Sequence, residues 1–410
     1  MGTFEELYQQ VLKSKISLEE PLPEGYDARH LDCLIRPEKY APVIQVGECE
    51  KCAYDEACRN SCVFDAIKAD KEGKLYIDPE LCEGCGACIE ACKNGNLTAS
   101  RDILPAMKAV RETENPSYAL VAPAFFGQFS KEVTPGKLRA AFKALGFAGM
   151  VEVALFADVL TLKESLEFDK HVQDIGDYQL TSCCCPVWIA MIRKIYHELM
   201  PHVPGAVSPM VASGRMIKRI HPGAVTVFVG PCLAKKKEAR EPDIADAVDY
   251  VLTFQEMQDI FKAADIRPEE LQDDEKDHAS TAGRLYARTG GVSQAVSEMV
   301  GQLRPERAIP IVAEQANGTK ECMEMIKRIQ SGETRANFFE GMGCIGGCVG
   351  GPRAIIPKEE GTQYVDAYAG GAEYRTPLEN PYVRKILKEL GIETVEGLLD
   401  DDSLLTRQFG

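Results

Sequence analysis

From residue 106 onward, short apolar runs alternate with stretches in which apolar residues recur every three or four positions, the pattern of strands followed by amphipathic helices. Tyr118-Ala119-Leu120-Val121-Ala122 is a buried-strand run closed by Pro123. Thr134 then stands as an N-cap before Pro135. Leu138, Ala141, Phe142 and Leu145 share the face of the helix it opens, and Gly146 ends it. Val225-Thr226-Val227-Phe228-Val229 is another strand. Tyr250-Val251-Leu252 is a further one, running into Thr253-x-x-Glu256, a capping box whose helix turns Met257, Ile260 and Phe261 inward. This alternation predicts an α/β body over residues 106–365. Residues 41–105 differ: the one clear strand there is Lys74-Leu75-Tyr76-Ile77-Asp78, with Leu75 and Ile77 on one face. Residues 1–40 read as a partly irregular leader, and 366–410 as a tail that wraps the body and holds one helix, Tyr382 to Leu390.

Length adds two or three domains and a substantial core to this picture, since the chain has 410 residues. Its 45% hydrophobic and 27% charged content is ordinary for a soluble globular protein. Sixteen cysteines are not ordinary. The N-terminus (Met1-Gly2-Thr3-Phe4-Glu5-Glu6) is acidic and lacks the apolar run of a signal peptide, and no stretch of eighteen apolar residues exists. The expectation is a cytoplasmic protein, with no membrane partner, whose cysteines bind metal rather than each other. A net charge of −16 argues against nucleic-acid binding and fits simple solubility. The six histidines are scattered, with no His-x-x-x-His or Cys-x-x-Cys-His pattern to favour a zinc hydrolase or c-type haem.

Eight of the cysteines form two runs, Cys49-x2-Cys52-x5-Cys58-x3-Cys62 and Cys82-x2-Cys85-x2-Cys88-x3-Cys92. The second has the spacing of bacterial ferredoxin clusters, and the first is a variant with a longer middle gap. In such modules the fourth cysteine of each run ligates the other cluster. Cys49, Cys52, Cys58 and Cys92 would then hold one 4Fe–4S cluster, and Cys62, Cys82, Cys85 and Cys88 the second. Gly84 and Gly86 let the backbone wrap a cluster with positive φ. Zinc pairs usually stand much farther apart, which disfavours a zinc ribbon. Val63 and Lys93 replace the proline that often follows the fourth cysteine. Residues 41–105 are therefore expected to form a small α+β ferredoxin-like domain that carries electrons for chemistry done elsewhere.

Three distant segments hold most of the remaining cysteines: Thr181-Ser182-Cys183-Cys184-Cys185-Pro186-Val187-Trp188, Gly230-Pro231-Cys232-Leu233-Ala234-Lys235, and Glu340-Gly341-Met342-Gly343-Cys344-Ile345-Gly346-Gly347-Cys348. Three adjacent thiols cannot all face one metal, so at least one does something else. Cys232 and Cys344 follow predicted strands, the expected place for ligands in α/β folds.

At these residues the chain resembles the FeFe-hydrogenases, whose segments read in general form TSCCPxW, MPCxxKxxE and ExMxCxxGCxxG. They align here with Thr181–Trp188, Gly230–Glu238 and Glu340–Gly351, and the likeness extends loosely over residues 41–390. The resemblance implies two α/β lobes around a buried H-cluster, a 4Fe–4S cubane joined through a thiolate to a two-iron unit with CO, cyanide and azadithiolate ligands. Carried over by position, Cys185, Cys232, Cys344 and Cys348 are the cubane ligands, with Cys348 bridging. Lys235 falls where the family's lysine donates to a cyanide, and Glu238 keeps the Cys-x2-Lys-x2-Glu spacing. The alternative for Lys235 is a surface lysine at a helix start, beside Lys236 and Lys237. Cys184 matches the proton-shuttling thiol, and Glu167 and Glu164 the carboxylates of the proton path. The alternative for that pair is a solvated helix face. Ala122, Pro123, Ser208, Pro209, Pro231 and Met342 match residues that line the pocket.

The departures are specific. Cys183 occupies the usual serine position, Gly230 replaces a methionine that packs on the iron pair, and Pro204 aligns with a relay serine. Gly230 should leave that wall loose or wet. These features are most similar to the divergent ancillary branch often called group B. The resemblance implies reversible 2H⁺ + 2e⁻ ⇌ H2, with a ferredoxin or similar low-potential carrier, H2 and protons, and hydrogenase maturation proteins as partners. Two other readings stay open: a hydrogen sensor with low turnover, and a Narf-like iron–sulfur assembly protein without the two-iron unit. Cys33 and Cys322 are left over and are expected to be buried structural thiols.

Overall fold

A computed structural model describes residues 2–14, 24–49, 56–181, 184–274, 276, 278–400 and 404–409. Cys52 and Cys183 lie outside the described residues. Four short strands, β1 (Val43–Gln45), β2 (Ile67–Ala69), β3 (Leu75–Ile77) and β4 (Leu97–Ala99), make two antiparallel pairs, β1 with β4 and β2 with β3. The cysteine runs lie between these strands. Gly84 and Gly86 have φ of +68° and +83°, as their place between cluster cysteines predicts.

The body holds two parallel sheets. In the first, β5 (Ser117–Val121), β6 (Gly149–Glu152), β8 (Val225–Gly230) and β9 (Tyr250–Thr253) run in the order β6-β5-β8-β9. Leu120 lies opposite Val151 on one side and Phe228 on the other. Ala119, Leu120 and Val229 are fully buried, as expected of a central parallel strand covered on both faces. In the second sheet, β7 (Gln179–Leu180), β10 (Ala313–Asn317) and β11 (Phe338–Met342) run in the order β10-β11-β7. Strand β5 sits between β6 and β8, so the chain turns to opposite sides of it. The carboxyl ends of β5 and β8 thus flank a topological switch point, where α/β sheets open their binding crevice.

The local signals in the body fold as read. Thr134 caps the helix Pro135–Ala144 by accepting from the Lys137 amide, and Thr253 and Glu256 form a reciprocal capping box on Phe254–Ala263. Helix Ala154–His171 departs from the usual surface pattern: every residue from Phe156 to Phe168 is buried, including Asp158, Lys163, Glu164 and Glu167. It contacts helices Pro209–Ile220, Thr281–Leu285, Gly291–Leu303 and Pro381–Glu389 and the 3₁₀ segment Val395–Leu399.

Two expectations about the ends change. The leader contains helices Phe4–Leu12 and Ala28–Ile35, and Phe4, Leu7, Tyr8 and Val11 join the principal core. The boundary drawn at 365/366 falls inside helix Lys358–Gly370. Near the end of the chain, Thr406 bridges to Ala206, and the Arg407 amide donates to the Gly205 carbonyl at 2.7 Å. The Arg407 guanidinium pairs with Glu241 and Asp243. No helix among the described residues is long and apolar enough to cross a membrane.

Candidate metal centre

The described ferredoxin-type cysteines lie close together, with Cys58 acting on Cys88 across the two runs. Cys49, Cys58 and Cys92 line one small cavity together with Asn96. The Asn96 amide donates to the Cys49 sulfur at 3.5 Å and to the Glu48 carbonyl at 2.6 Å. Cys62 acts electrostatically on Cys82, Cys85 and Cys88, so these four are neighbours, and the Ala66 amide donates to the Cys62 sulfur at 3.3 Å. Burial pushes the Cys85 thiol up to about 11, and Cys88 upward as well, with neighbouring sulfurs adding to both shifts.

Cys185, Cys232, Cys344 and Cys348 come together from the loops after β7, β8 and β11. Cys185 precedes the helix Pro186–Lys194, with Pro186 at its first position, and its sulfur accepts from the Gly343 amide at 3.2 Å. The sole tryptophan, Trp188, lies against Gly341 so closely that a β-carbon there would come 2.2 Å from its ring. Its Nε1 donates to the Thr181 carbonyl at 3.3 Å. Burial, then the other sulfurs, push Cys232 up to about 11 and Cys348 to about 12, and Cys344 well above its ordinary value. Buried neutral thiols this close to one another ionise when a metal takes the protons' place. Cys85 is close enough to Cys344 to contribute to its shift, so the ferredoxin-type cysteines reach the edge of this group. Among the described residues, no three side chains converge tightly enough to hold a single ion. Cubane thiolates each bind a different iron and need no such convergence.

Lys235 is buried and forms an ion pair with Glu238 at 2.5 Å. Glu238 takes up one of the three N–H donors of the ammonium, and no other acceptor is found for it among the described residues. Burial opposes its charge, but Glu238 and the Cys232 and Cys348 sulfurs outweigh that and hold the ammonium above its ordinary value. A buried cation with unused donors beside Cys232 and Cys348 fits an anionic ligand there. Lys236 corrects the expectation of surface lysines. It is fully buried, with Asp102 at 2.8 Å and Glu256 at 3.1 Å, and Arg240 pairs with the same Asp102 at 3.1 Å.

Ala122 and Pro123 follow β5, beside Gly230, the last residue of β8, and Pro231 after it. Gly230 corrects the expected loose wall: a β-carbon there would meet the Phe228 ring at 2.7 Å and the Ala122 methyl at 3.0 Å, so the ring edge already fills that space. Ser208 caps helix Pro209–Ile220 and, with Pro186 and Glu238, lines a small cavity closed by Arg407 and Phe409. Cys184 and Met342 pack in one apolar cluster with Phe168 of the buried helix. Glu164 and Glu167 lie on that helix, 3% and 7% exposed, which overturns the solvated-face alternative. The Gln179 amide reaches the Glu164 Oε1 at 3.5 Å. Glu167 pairs with Lys163 at 3.5 Å, and burial raises its carboxyl to about 7 against the pull of Lys163.

Sequence reasoning assigned no role to Glu340 beyond its motif. The carboxylate accepts from the Gly290 and Ser293 amides and the Ser293 hydroxyl at 2.6 to 2.8 Å, anchoring β11 to the start of helix Gly291–Leu303. Cys322 is fully buried, and its thiol donates to the Met342 carbonyl.

Comparison with known proteins matches the regions that hold most of these cysteines. Residues 115–352, more than half of the chain, match the family described as iron only hydrogenase large subunit, C-terminal domain, and residues 75–98 match a 4Fe-4S binding domain. The chain is 28% identical to iron hydrogenase 1 of Clostridium pasteurianum, over 56% of its own length and 47% of that protein, so it spans about half of that relative. It is 23% identical to Protein NAR1 of Arabidopsis thaliana, over 62% of the chain and 68% of that protein. The [FeFe]-hydrogenase HydA1 of Chlamydomonas reinhardtii shares the fold with a TM-score of 0.61 at 21% identity, covering 75% of this chain and 98% of that one. With its mixed α/β body and ferredoxin-like N-terminal region, the chain belongs to the iron-only hydrogenase family.

Proposed function

We propose that the protein is a cytoplasmic hydrogenase that interconverts protons and electrons with H2. In this reading Cys185, Cys232, Cys344 and Cys348 would hold the cubane of an H-cluster, and Cys348 would be the residue shared with the two-iron unit. When bound, that unit supplies an open iron position and a basic bridge amine for heterolytic H2 chemistry. Lys235 binds and orients the anionic side of the unit, and Glu238 keeps the ammonium in place. Gly230, Pro231, Ala122, Pro123, Ser208, Pro209 and Met342 exclude water. The Cys184 thiol gives or takes a proton at the site, as a group able both to donate and to accept must. Glu164 and Glu167 extend that path along the buried helix. Cys49, Cys52, Cys58 and Cys92 would hold one ferredoxin-type cluster and Cys62, Cys82, Cys85 and Cys88 the other, which together would supply a route for electrons from a low-potential carrier such as a ferredoxin, and maturation proteins would install the two-iron unit.

The observation that carries this reading is the buried Lys235 ammonium, which pairs with Glu238 alone among the described residues, keeps further donors unused and stands beside Cys232 and Cys348. A cubane alone leaves those further donors without a partner. A second reading, an iron–sulfur assembly factor that keeps the cubane but not the two-iron unit, draws support from the likeness to Protein NAR1 and from Pro204 in place of a relay hydroxyl.

Infrared spectroscopy of the protein matured with hydrogenase maturation proteins separates the two. Bands of bound CO and cyanide are expected, and their absence would leave the assembly reading. Viologen-driven H2 evolution then distinguishes a working enzyme from a sensor, whose bands would be intact while turnover stayed near zero.

A further inference from the structure

Lys163 is the one member of the Lys163–Glu164–Glu167 set to which the proton path assigns no role. A lysine 3% exposed needs compensation for its buried charge. It has two partners: the Glu167 Oε1 at 3.5 Å, one helical turn away, and the Leu398 carbonyl at 2.9 Å, from the 3₁₀ segment Val395–Leu399 in the tail. The second oxygen of Glu167 is buried and has no hydrogen-bond partner among the described residues. One carboxylate oxygen thus faces a fixed cation while the other is free to take a proton.

We propose that Lys163 is a positioning residue for the proton path: its ammonium, held by the Leu398 carbonyl, keeps the Glu167 carboxyl balanced between its acid and carboxylate forms. This rests on the hydrogenase reading for the purpose of the proton, but not for the electrostatics. A carboxyl buried alone stays protonated and passes nothing on, and one in a tight exposed ion pair stays ionised and accepts nothing. Here burial favours the acid and Lys163 the carboxylate. The outcome, about 7, lies where a relay group works best at neutral pH.

The charged groups acting on Glu167 are Lys163 and, more weakly, Lys170, both on its own helix. Glu164 is the neighbouring titratable group one turn back. From the tail segment the contact is a carbonyl, and its charged residue, Glu396, is taken by Arg304. From the other helices against this one, Arg215 is held by Asp246, Glu298 by Arg375, and Arg284 lies over Tyr368. In one relay step the Glu167 carboxylate gains a proton and becomes a carboxylic acid, while Lys163 keeps its own. Releasing the proton restores the ion pair, and no other bond changes.

The test is an infrared titration of the full chain carrying its iron–sulfur clusters, produced without maturation proteins. The carboxylic-acid stretch that disappears in Glu167→Gln belongs to Glu167. In the unsubstituted protein that band should fade across neutral pH. In Lys163→Gln, which removes the charge but can still donate to the Leu398 carbonyl, it should persist to higher pH by about one unit or more. Lys163→Met should do the same and guards against a folding defect in either variant. A band that titrates at the same pH in all three proteins overturns the proposal. In matured protein the alkaline limit of H2 evolution should move with the band. A shifted band without any H2 evolution by the unsubstituted protein would instead sink the hydrogenase reading and leave the charge balance standing.

Discussion

Gly84, between Cys82 and Cys85, touches the backbone two residues beyond Cys232: a β-carbon at position 84 would stand 3.0 Å from the Ala234 amide nitrogen. The same atom would come within 2.9 Å of Pro42, and the residue's φ is +68°, so both space and conformation call for glycine. The contact seats the loop of the inner ferredoxin-type cysteines on the Cys232 loop, where electrons would cross. Gly84→Ala should retain iron but slow electron delivery to the buried centre. Stopped-flow reduction monitored by cluster absorbance measures this, and an unchanged rate would detach the contact from the electron route.

Lys236 joins Asp102, which follows the ferredoxin-like region, to Glu256, which caps a helix of the body. Its removal leaves two carboxylates buried with less compensation. Lys236→Met should destabilise the protein by about 3–5 kcal/mol, and adding Asp102→Asn should recover part of the loss. Thermal unfolding of the cluster-loaded protein measures both, and a single substitution without effect would contradict the buried triad.

Asn96 donates from its side chain to the sulfur of Cys49, a proposed cluster ligand, and can be removed without touching the backbone. A hydrogen bond to a thiolate stabilises the reduced, more negative cluster and raises its potential. Asn96→Ala should therefore lower one of the two ferredoxin-type midpoints and leave the other in place. An EPR-monitored redox titration reads both together. Two unmoved midpoints would mean that the bond to Cys49 has no electronic effect.

Gly230 and Phe228 share one space. Gly230→Met, restoring the residue usual in the family, should collide with the ring and cost about 1–3 kcal/mol. Combined with Phe228→Ala the methionine has room, and the melting temperature should return toward that of the unsubstituted protein. If Gly230→Met alone is neutral, Phe228 does not fill the wall.

What could be read in the sequence was what depends on neighbours in the chain. Thr253 and Glu256 cap a helix three residues apart, and Gly84 takes positive φ between two cluster cysteines. Burial of charge could not be read this way. Lys236 looks like a surface lysine until Asp102 and Glu256 arrive from 134 and 20 residues away. Lys163 looks solvated until Leu398 covers it from 235 residues away. The leader was a different kind of miss. Phe4, Leu7, Tyr8 and Val11 carry the helical period, and Thr3 and Glu6 the capping box, so this signal is local, although an irregular stretch follows it in the sequence. At Gly230 the missing side chain was legible, but not the ring two residues earlier that takes its place.

Trp188, pressed on Gly341 and three residues from Cys185, is also the protein's only indole fluorophore. Iron–sulfur clusters absorb broadly across the range in which indole emits, so a cubane held at Cys185 would drain the excited ring by energy transfer. The metal-free chain should therefore glow and the loaded one be nearly dark. Filling of the centre can then be followed in real time by emission alone, without any assay of H2.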